Sequence, residues 1–231
     1  MQPPTISVIV PVRNEDPDSL NKLTDLANLE GIAEVVIVNC SDQHSTTDKL
    51  KELQSKFNSL KVINSEIAGR AHQMNQGEAV ASGSILWFIH ADTSVPESSA
   101  ESILKSISTE KPWGRFDIRF DNPSARMKLV AFAINLRSGV TWVCSGDQAI
   151  FLLRSQFHKM GGFPNIPLLE DIALTKKLRR EAQAIRIRTP VTTSARRWET
   201  HGYLRTIFLM WLIRFLFWVG VSPATLARLY R

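Results

Sequence analysis

The stretch Ser84-Ile85-Leu86-Trp87-Phe88-Ile89-His90-Ala91-Asp92-Thr93 decides how the rest of the chain is read. It opens as an uninterrupted apolar run and stops at a histidine and an aspartate two positions apart. Such a run, with no polar alternation, marks a strand buried on both faces, the central strand of a parallel sheet. In open α/β sheets ligands collect beyond the carboxyl ends of the strands, so His90 and Asp92 stand where chemistry takes place. Residues two apart at a strand end can turn towards one ion. An aspartate oxygen suits Mg2+ or Mn2+, hard cations that also bridge substrate phosphates. His90 either joins it as a metal ligand or makes a hydrogen bond.

Working outwards, Ile6 to Val10 and Val35 to Val38 are β-branched runs, separated by a segment of helical spacing from Asp18 to Leu29. That is a strand, helix, strand unit. A polar helix over Thr47 to Phe57, a strand at Leu60 to Ile63 and a helix after Gly69 carry the alternation to Ser84. The rhythm predicts an α/β fold with a mostly parallel sheet flanked by helices. Downstream, the pattern predicts helices over Glu97 to Ser108 and Ala125 to Leu136. A half-exposed strand is expected over Arg115 to Phe120, with Asp117 and Arg119 opposite the aromatic face. An apolar strand at Gln148 to Leu153, a loop at Gly161 to Pro164, a helix opening at Glu170-Asp171, and short strands at Ala184 to Arg188 and Val191 to Thr193 complete the domain.

With 44% hydrophobic and 22% charged residues, the 231-residue chain has a globular composition without the bias of disorder. Its formal charge of +6 favours anionic partners, whether phosphorylated substrates or an acidic membrane face. Scattered arginines and the lack of a recognised module argue against nucleic acid. Cys40 and Cys144 have no C-x-x-C spacing, so neither a zinc site nor a disulfide framework is indicated. No secretory leader is apparent, and a cytoplasmic location is expected. From Tyr203 to Val221 the chain turns strongly apolar, interrupted by Arg205 and Arg214. An arginine at the centre of a membrane span costs about 3 kcal/mol on insertion scales. The segment is therefore read as an interfacial or packed helix with Trp211 and Trp218 as interface-type anchors. Two units are expected, a domain over 1–200 and an apolar helical tail over 201–231. The tail has three open destinations: the inner face of the cell membrane, the domain itself, or a homodimer.

Three further constellations lie where this topology ends strands or opens helices. Pro11-Val12-Arg13-Asn14-Glu15 follows the first strand, and its polar side chains can meet a base or ribose; a capping loop is the plainer reading. Asn39-Cys40-Ser41-Asp42 follows the second strand, where Ser41 and Asp42 also suit a turn. Gly69-Arg70, with Asn75 and Gly77 downstream, opens a helix whose N-terminus and arginine favour a phosphate.

Taken in order, Ser7 to Glu15, Gly69-Arg70 to Gly77, Leu86 to Thr93 and Glu170-Asp171 resemble the inverting family 2 glycosyltransferases of GT-A fold, over about residues 5 to 195. The resemblance implies that Pro11, Asn14 and Glu15 line a nucleotide pocket, with Asp42 and Arg70 near the base, ribose or diphosphate. It implies that Asp92 is the last aspartate of the D-x-D motif, which binds the metal that holds the donor diphosphate. His90 stands where the motif has its first aspartate. Asp171 corresponds to the general base and Glu170 to its neighbour, while Gly146-Asp147 shapes the acceptor side. Ser194-Ala195-Arg196-Arg197-Trp198 resembles the Q-x-x-R-W motif with serine in place of glutamine. Arg196 and Arg197 would there grip the diphosphate and Trp198 would stack on an acceptor.

The function implied is transfer of a sugar, with inversion, from a nucleotide-diphosphate sugar to a lipid-like or saccharide acceptor, with Mn2+ or Mg2+ as cofactor. The alternatives are a nucleotide-sugar-binding module without turnover and a sugar nucleotidyltransferase. The latter predicts a glycine-rich first loop, and Val10 to Asn14 has no glycine.

Overall fold

The β-branched and apolar runs form strands because they bury both faces of a pleated sheet. The structure, a computed structural model, describes residues 3–16 and 19–230. Strands β1 (Ile6–Val12), β2 (Ile32–Asn39), β3 (Leu60–Asn64) and β4 (Ile85–Phe88) alternate with helices α1 (Lys22–Ala27), α2 (His44–Lys56) and α3 (Arg70–Val80). Then come α4 (Ser99–Ser106), β5 (Trp113–Phe120), α5 (Ala125–Thr141), β6 (Phe151–Leu153), α6 (Arg154–Met160), α7 (Glu170–Glu181) and β7 (Ile185–Thr193). Helices α8 (Arg196–His201), α9 (Tyr203–Trp218) and α10 (Pro223–Tyr230) follow.

The seven strands form one sheet in the order β3-β2-β1-β4-β6-β5-β7, so β4 is the central strand. All neighbouring pairs are parallel except those made by β6. Every residue of β1 and β4 is buried, and the Trp87 ring stacks on Phe116 at 5.5 Å. From β1 the chain steps outwards through β2 and β3, then returns to pair β4 on the opposite side of β1. This reversal opens a crevice beyond the carboxyl ends of β1 and β4, the place where doubly wound sheets bind ligands. His90 and Asp92 leave β4 into that crevice.

Helix α3 closes one face of the sheet. A Cβ on Gly77 would lie 2.6 Å from Ile9 Cγ2, so this glycine sets how closely the helix approaches β1. Asn75 bridges to the Gly-Gly-Phe-Pro loop: Nδ2 donates to Phe163 O at 2.8 Å and Oδ1 accepts from Phe163 N at 3.0 Å. Asn75 and Gly77, downstream of the Gly69-Arg70 helix opening, thus have packing roles. Buried Gln73 donates to Val12 O and Val38 O, at 2.9 and 2.8 Å, and ties together the ends of β1 and β2.

Several segments differ from expectation. The helix expected from Asp18 begins outside the described residues; from Ser19 the chain makes a 3-10 turn, Ser19–Asn21, into the short α1. Expected strand Gln148 to Leu153 is a 3-10 turn, Gly146–Gln148, then the antiparallel β6, with Ala149 between them at φ 47°. The two short terminal strands are one, β7. Strand β5 is not half-exposed, being buried from Trp113 to Ile118. Its charges survive burial because they pair: Arg115 Nη1 bonds Asp117 Oδ1, and Arg186 of β7 grips the same carboxylate through Nε and Nη2, both at 2.9 Å.

The chain's last helices fold back on the domain. Ile213 of α9 and Leu226 of α10 are fully buried in a cluster with Val143, Leu169 and Ile172, over the start of α7. Among the described residues no helix is long and apolar enough to cross a membrane. One row of α9 nevertheless faces outwards: Leu204, Phe208, Trp211 and Trp218 are 71–83% exposed. Helix α5, which packs on α9 through Met127, Val130 and Ile207, adds a second exposed row of Leu129, Phe132, Leu136 and Val140.

Candidate active site

A cavity of about 250 Å³ lies beyond the carboxyl end of β4, walled by the start of α7, the end of β7 and the last three helices. Nine of the residues singled out from sequence line it: Arg70, His90, Asp92, Asp147, Glu170, Asp171, Arg196, Arg197 and Trp198. Residues more than a hundred positions apart, such as Asp92 and Arg196, meet because β4 is central and β7 runs parallel to it through β5.

The acidic pair owes its placement to backbone strain. Leu169, which precedes α7, is left-handed at φ 67°, unusual for a bulky residue and found chiefly where the surroundings impose it. Asp171 Oδ2 accepts the Gly146 N–H at 2.5 Å and Oδ1 accepts the Ile172 N–H at 2.6 Å, which fixes the carboxylate plane. Glu170 is 5% exposed; burial first, then the Asp171 charge, push its carboxyl above the usual range.

Gly146 is a wedge between two side chains that line the cavity. A Cβ there would stand 2.6 Å from His90 Nε2 and 3.6 Å from Asp171 Oδ2. On its other side His90 Nδ1 meets Asp147 Oδ1 at 3.2 Å. Burial opposes the imidazolium, but the Asp147 hydrogen bond together with the Asp147 and Asp92 charges raises the His90 pKa; burial likewise opposes the Asp147 carboxylate, whose pKa the His90 bond and nearby positive charges lower. His90 is thus engaged by a carboxylate through Nδ1, one of the two nitrogens an imidazole can offer a metal.

Asp92 lines the cavity with its carboxylate nearly free. Its one side-chain contact among the described residues is Thr93 Oγ1 at 3.5 Å, and Lys22 Nζ holds its backbone carbonyl at 2.7 Å. Glu15 faces the same charges: burial, then Asp92, raise its pKa, while Arg196 and Arg70 oppose the rise. No cluster of three or more His, Cys, Asp or Glu residues positioned for a metal occurs among the described residues. One free carboxylate fits a hard cation that draws most of its ligands from substrate phosphates and water.

Arginine surrounds these acids. Burial works against the Arg70 charge, but Glu170 and Asp147 outweigh it and raise its pKa. Arg197 stacks over the Tyr230 ring at 3.6 Å and donates from Nη2 to Tyr230 O at 3.1 Å, which holds α10 over the cavity. Trp198 packs edge-on against Phe120 at 5.8 Å. Pro11, Asn14, Glu15 and Asp42 do not line this cavity. Pro11 is buried within β1. Asn14, left-handed at φ 52°, accepts the Asp42 N–H on Oδ1 at 3.0 Å and donates its own N–H to Ser41 Oγ at 2.9 Å. The loops after β1 and β2 are thereby clasped into one polar rim. Sequence reasoning missed Ser145, Met210, Arg214 and Tyr230 as lining residues. The signal for Arg214 was present, since a charge within an apolar helix needs a polar destination.

Residues 7–160, well over half of the chain, match the family model described as Glycosyl transferase family 2, and the chain belongs to that family. Its GT-A fold is shared with solved structures of low sequence identity. The mannosyltransferase PcManGT from Pyrobaculum calidifontis, in complex with GDP-Man and Mn2+, is 20% identical at a TM-score of 0.63, over 83% of this chain and 56% of that one. S. aureus TarS 1-349 in complex with UDP-GlcNAc is 19% identical at a TM-score of 0.63, over 82% of this chain and 58% of that one. The chain therefore spans less than two thirds of either structure. No curated protein matches it.

Proposed function

We propose that this chain is an inverting glycosyltransferase that moves a sugar from a nucleotide-diphosphate sugar to a lipid-like acceptor. The observation that carries this is the convergence of Asp171, Asp92 and three arginines in one cavity at the reversal point of the sheet. Arg70, Arg196 and Arg197 bind the diphosphate by charge-assisted hydrogen bonds, and the Asn14–Asp42 rim meets the nucleoside with Glu15 beside it. Asp171 takes the proton of the acceptor hydroxyl as that oxygen bonds to the anomeric carbon. The bond from that carbon to the diphosphate breaks on the opposite face, which inverts the configuration. Mn2+ or Mg2+, held by Asp92 and the donor phosphates, would offset the charge that develops on the leaving group. His90 holds Asp147 on the acceptor side, and Trp198 offers the acceptor an aromatic face.

The test is calorimetric titration of UDP and GDP, with and without Mn2+, into wild type and D92A. One of the two nucleotides binds wild type more tightly with Mn2+, and D92A removes that gain. Metal dependence that survives in D92A takes the metal away from this aspartate.

The exposed rows on α9 and α5, together with the net charge of +6, support a location on an anionic membrane face. A buried Phe or Leu contributes about 1.5–3 kcal/mol. The triple variant Phe208→Ser, Trp211→Ser, Phe215→Ser should thus no longer sediment with phosphatidylglycerol vesicles that pull down wild type. A wild type that ignores vesicles but forms a dimer, which the variant dissociates, assigns the face to self-association instead.

A further inference from the structure

Arg214 lies mid-way along α9 between Leu212-Ile213 and Phe215-Leu216, yet its side chain reaches the cavity wall. Arg137 of α5 stands behind it. Burial, and after it the Arg214 charge, push the Arg137 pKa down to about 10. Arg137 Nη1 donates to Val143 O at 3.0 Å. Its Nε and Nη2, and Nε of Arg214, are buried without a hydrogen-bond partner among the described residues. A buried donor left in that state is costly, more so where it carries charge.

The acids whose charge Arg214 feels most are Asp171 and then Asp147. Both are committed elsewhere: Asp171 to two backbone N–H groups and Asp147 to His90. Arg214 lines the cavity, Arg137 feels its charge from behind the wall, and neither has a salt-bridge partner among the described residues. Arg70, Arg196 and Arg197 suffice for the donor diphosphate, which leaves this pair without a task in the reaction described above. Guanidinium forks match carboxylate and phosphate oxygens.

We propose that Arg214, backed by Arg137, forms a subsite for an anionic group, a carboxylate or phosphate, borne by the acceptor. That the occupant is the acceptor rests on the glycosyl-transfer function; the anion preference rests on the two arginines alone. An anion there sits beside the base, and the apolar surroundings of α9 suit the remainder of a lipid-like acceptor.

The full chain is titrated by calorimetry with decyl phosphate, decanoate, neutral decanol and inorganic phosphate, and separately with UDP and GDP plus Mn2+. Decyl phosphate or decanoate, whichever matches the acceptor, binds more tightly than decanol, and decyl phosphate binds more tightly than inorganic phosphate. R214Q weakens the preferred anionic probe by about tenfold or more, the loss of one charge-assisted contact. R214K, which keeps the charge and loses the fork, falls between, and thermal melts verify that both variants are folded. Nucleotide affinity in R214Q stays within about twofold, as for a separate site. Anion binding unchanged in both variants, or decanol binding as tightly as the anions, overturns the subsite. Inorganic phosphate binding as tightly as decyl phosphate replaces an acceptor-borne anion with a free one, and equal losses of nucleotide and anion assign Arg214 to the donor; either overturns the proposal. Should the anion results hold while no nucleotide binds wild type, the glycosyl-transfer function fails and the anion site stands.

Discussion

Asp171→Asn lowers donor turnover by about 10²–10⁴-fold, the range for loss of a general base, while nucleoside diphosphate affinity stays at the wild-type level. The amide is isosteric and keeps one acceptor oxygen for the Gly146 N–H that bonds Asp171 Oδ2 at 2.5 Å, giving up only the local bond from Ile172 N–H, so the link between the loop and the start of α7 is kept. It cannot take a proton from the acceptor. Glu170 lines the same cavity but is only 5% exposed, so an acceptor hydroxyl reaches it less readily than Asp171. Initial rates of nucleoside diphosphate release, set beside calorimetric affinities, separate chemistry from binding. Wild-type turnover in the variant removes Asp171 from the base role, and turnover absent from wild type as well favours a nucleotide-sugar-binding module.

Asp117→Ala has the largest expected effect on stability. Its carboxylate lies between Arg115, which is 1% exposed, and Arg186, which reaches it with two nitrogens at 2.9 Å. Removing it leaves a guanidinium buried in the sheet without its counter-charge, at a cost of about 3–5 kcal/mol. For a chain of this size each kcal/mol corresponds to roughly 2–4 °C in Tm. Arg186→Ala removes the more exposed partner and should cost less, because Arg115 and Asp117 still neutralise each other. Denaturant unfolding of the two variants gives the order directly; a loss below about 1 kcal/mol for Asp117→Ala, within the range of exposed pairs, contradicts the buried-network description.

The contrast between these two sites shows what the sequence discloses. Strands β1 to β4 were legible because each is an apolar run that ends in polar residues, and their shared direction gathers Asn14, Asp42 and His90-Ala91-Asp92 at one end. Strand β5 was misread because its alternating charges look solvated; the partner that buries them, Arg186, comes from β7. Gly77 and Asn75 had no assignable role from sequence, because the contacts that explain them, with Ile9 and Phe163, are long-range. Strand β6 is three residues long and antiparallel, too short for a period to appear. The tail keeps three open destinations in the sequence because apolar content marks an interface without naming what covers it. That α9 and α10 return Arg214 and Tyr230 to the cavity depends on Ile213 and Leu226 finding Leu169 and Ile172, a long-range contact that no local pattern encodes.

Sugar transfer with inversion at this cavity is tested most directly by proton NMR of the full chain incubated with Mn2+ and a panel of α-linked UDP- and GDP-sugars. One of them should release its nucleoside diphosphate, slowly to water when no acceptor is present, and the sugar set free should appear first as the β anomer. Release of the α anomer first, or nucleoside monophosphate in place of the diphosphate, would contradict the inverting mechanism assigned to Asp171.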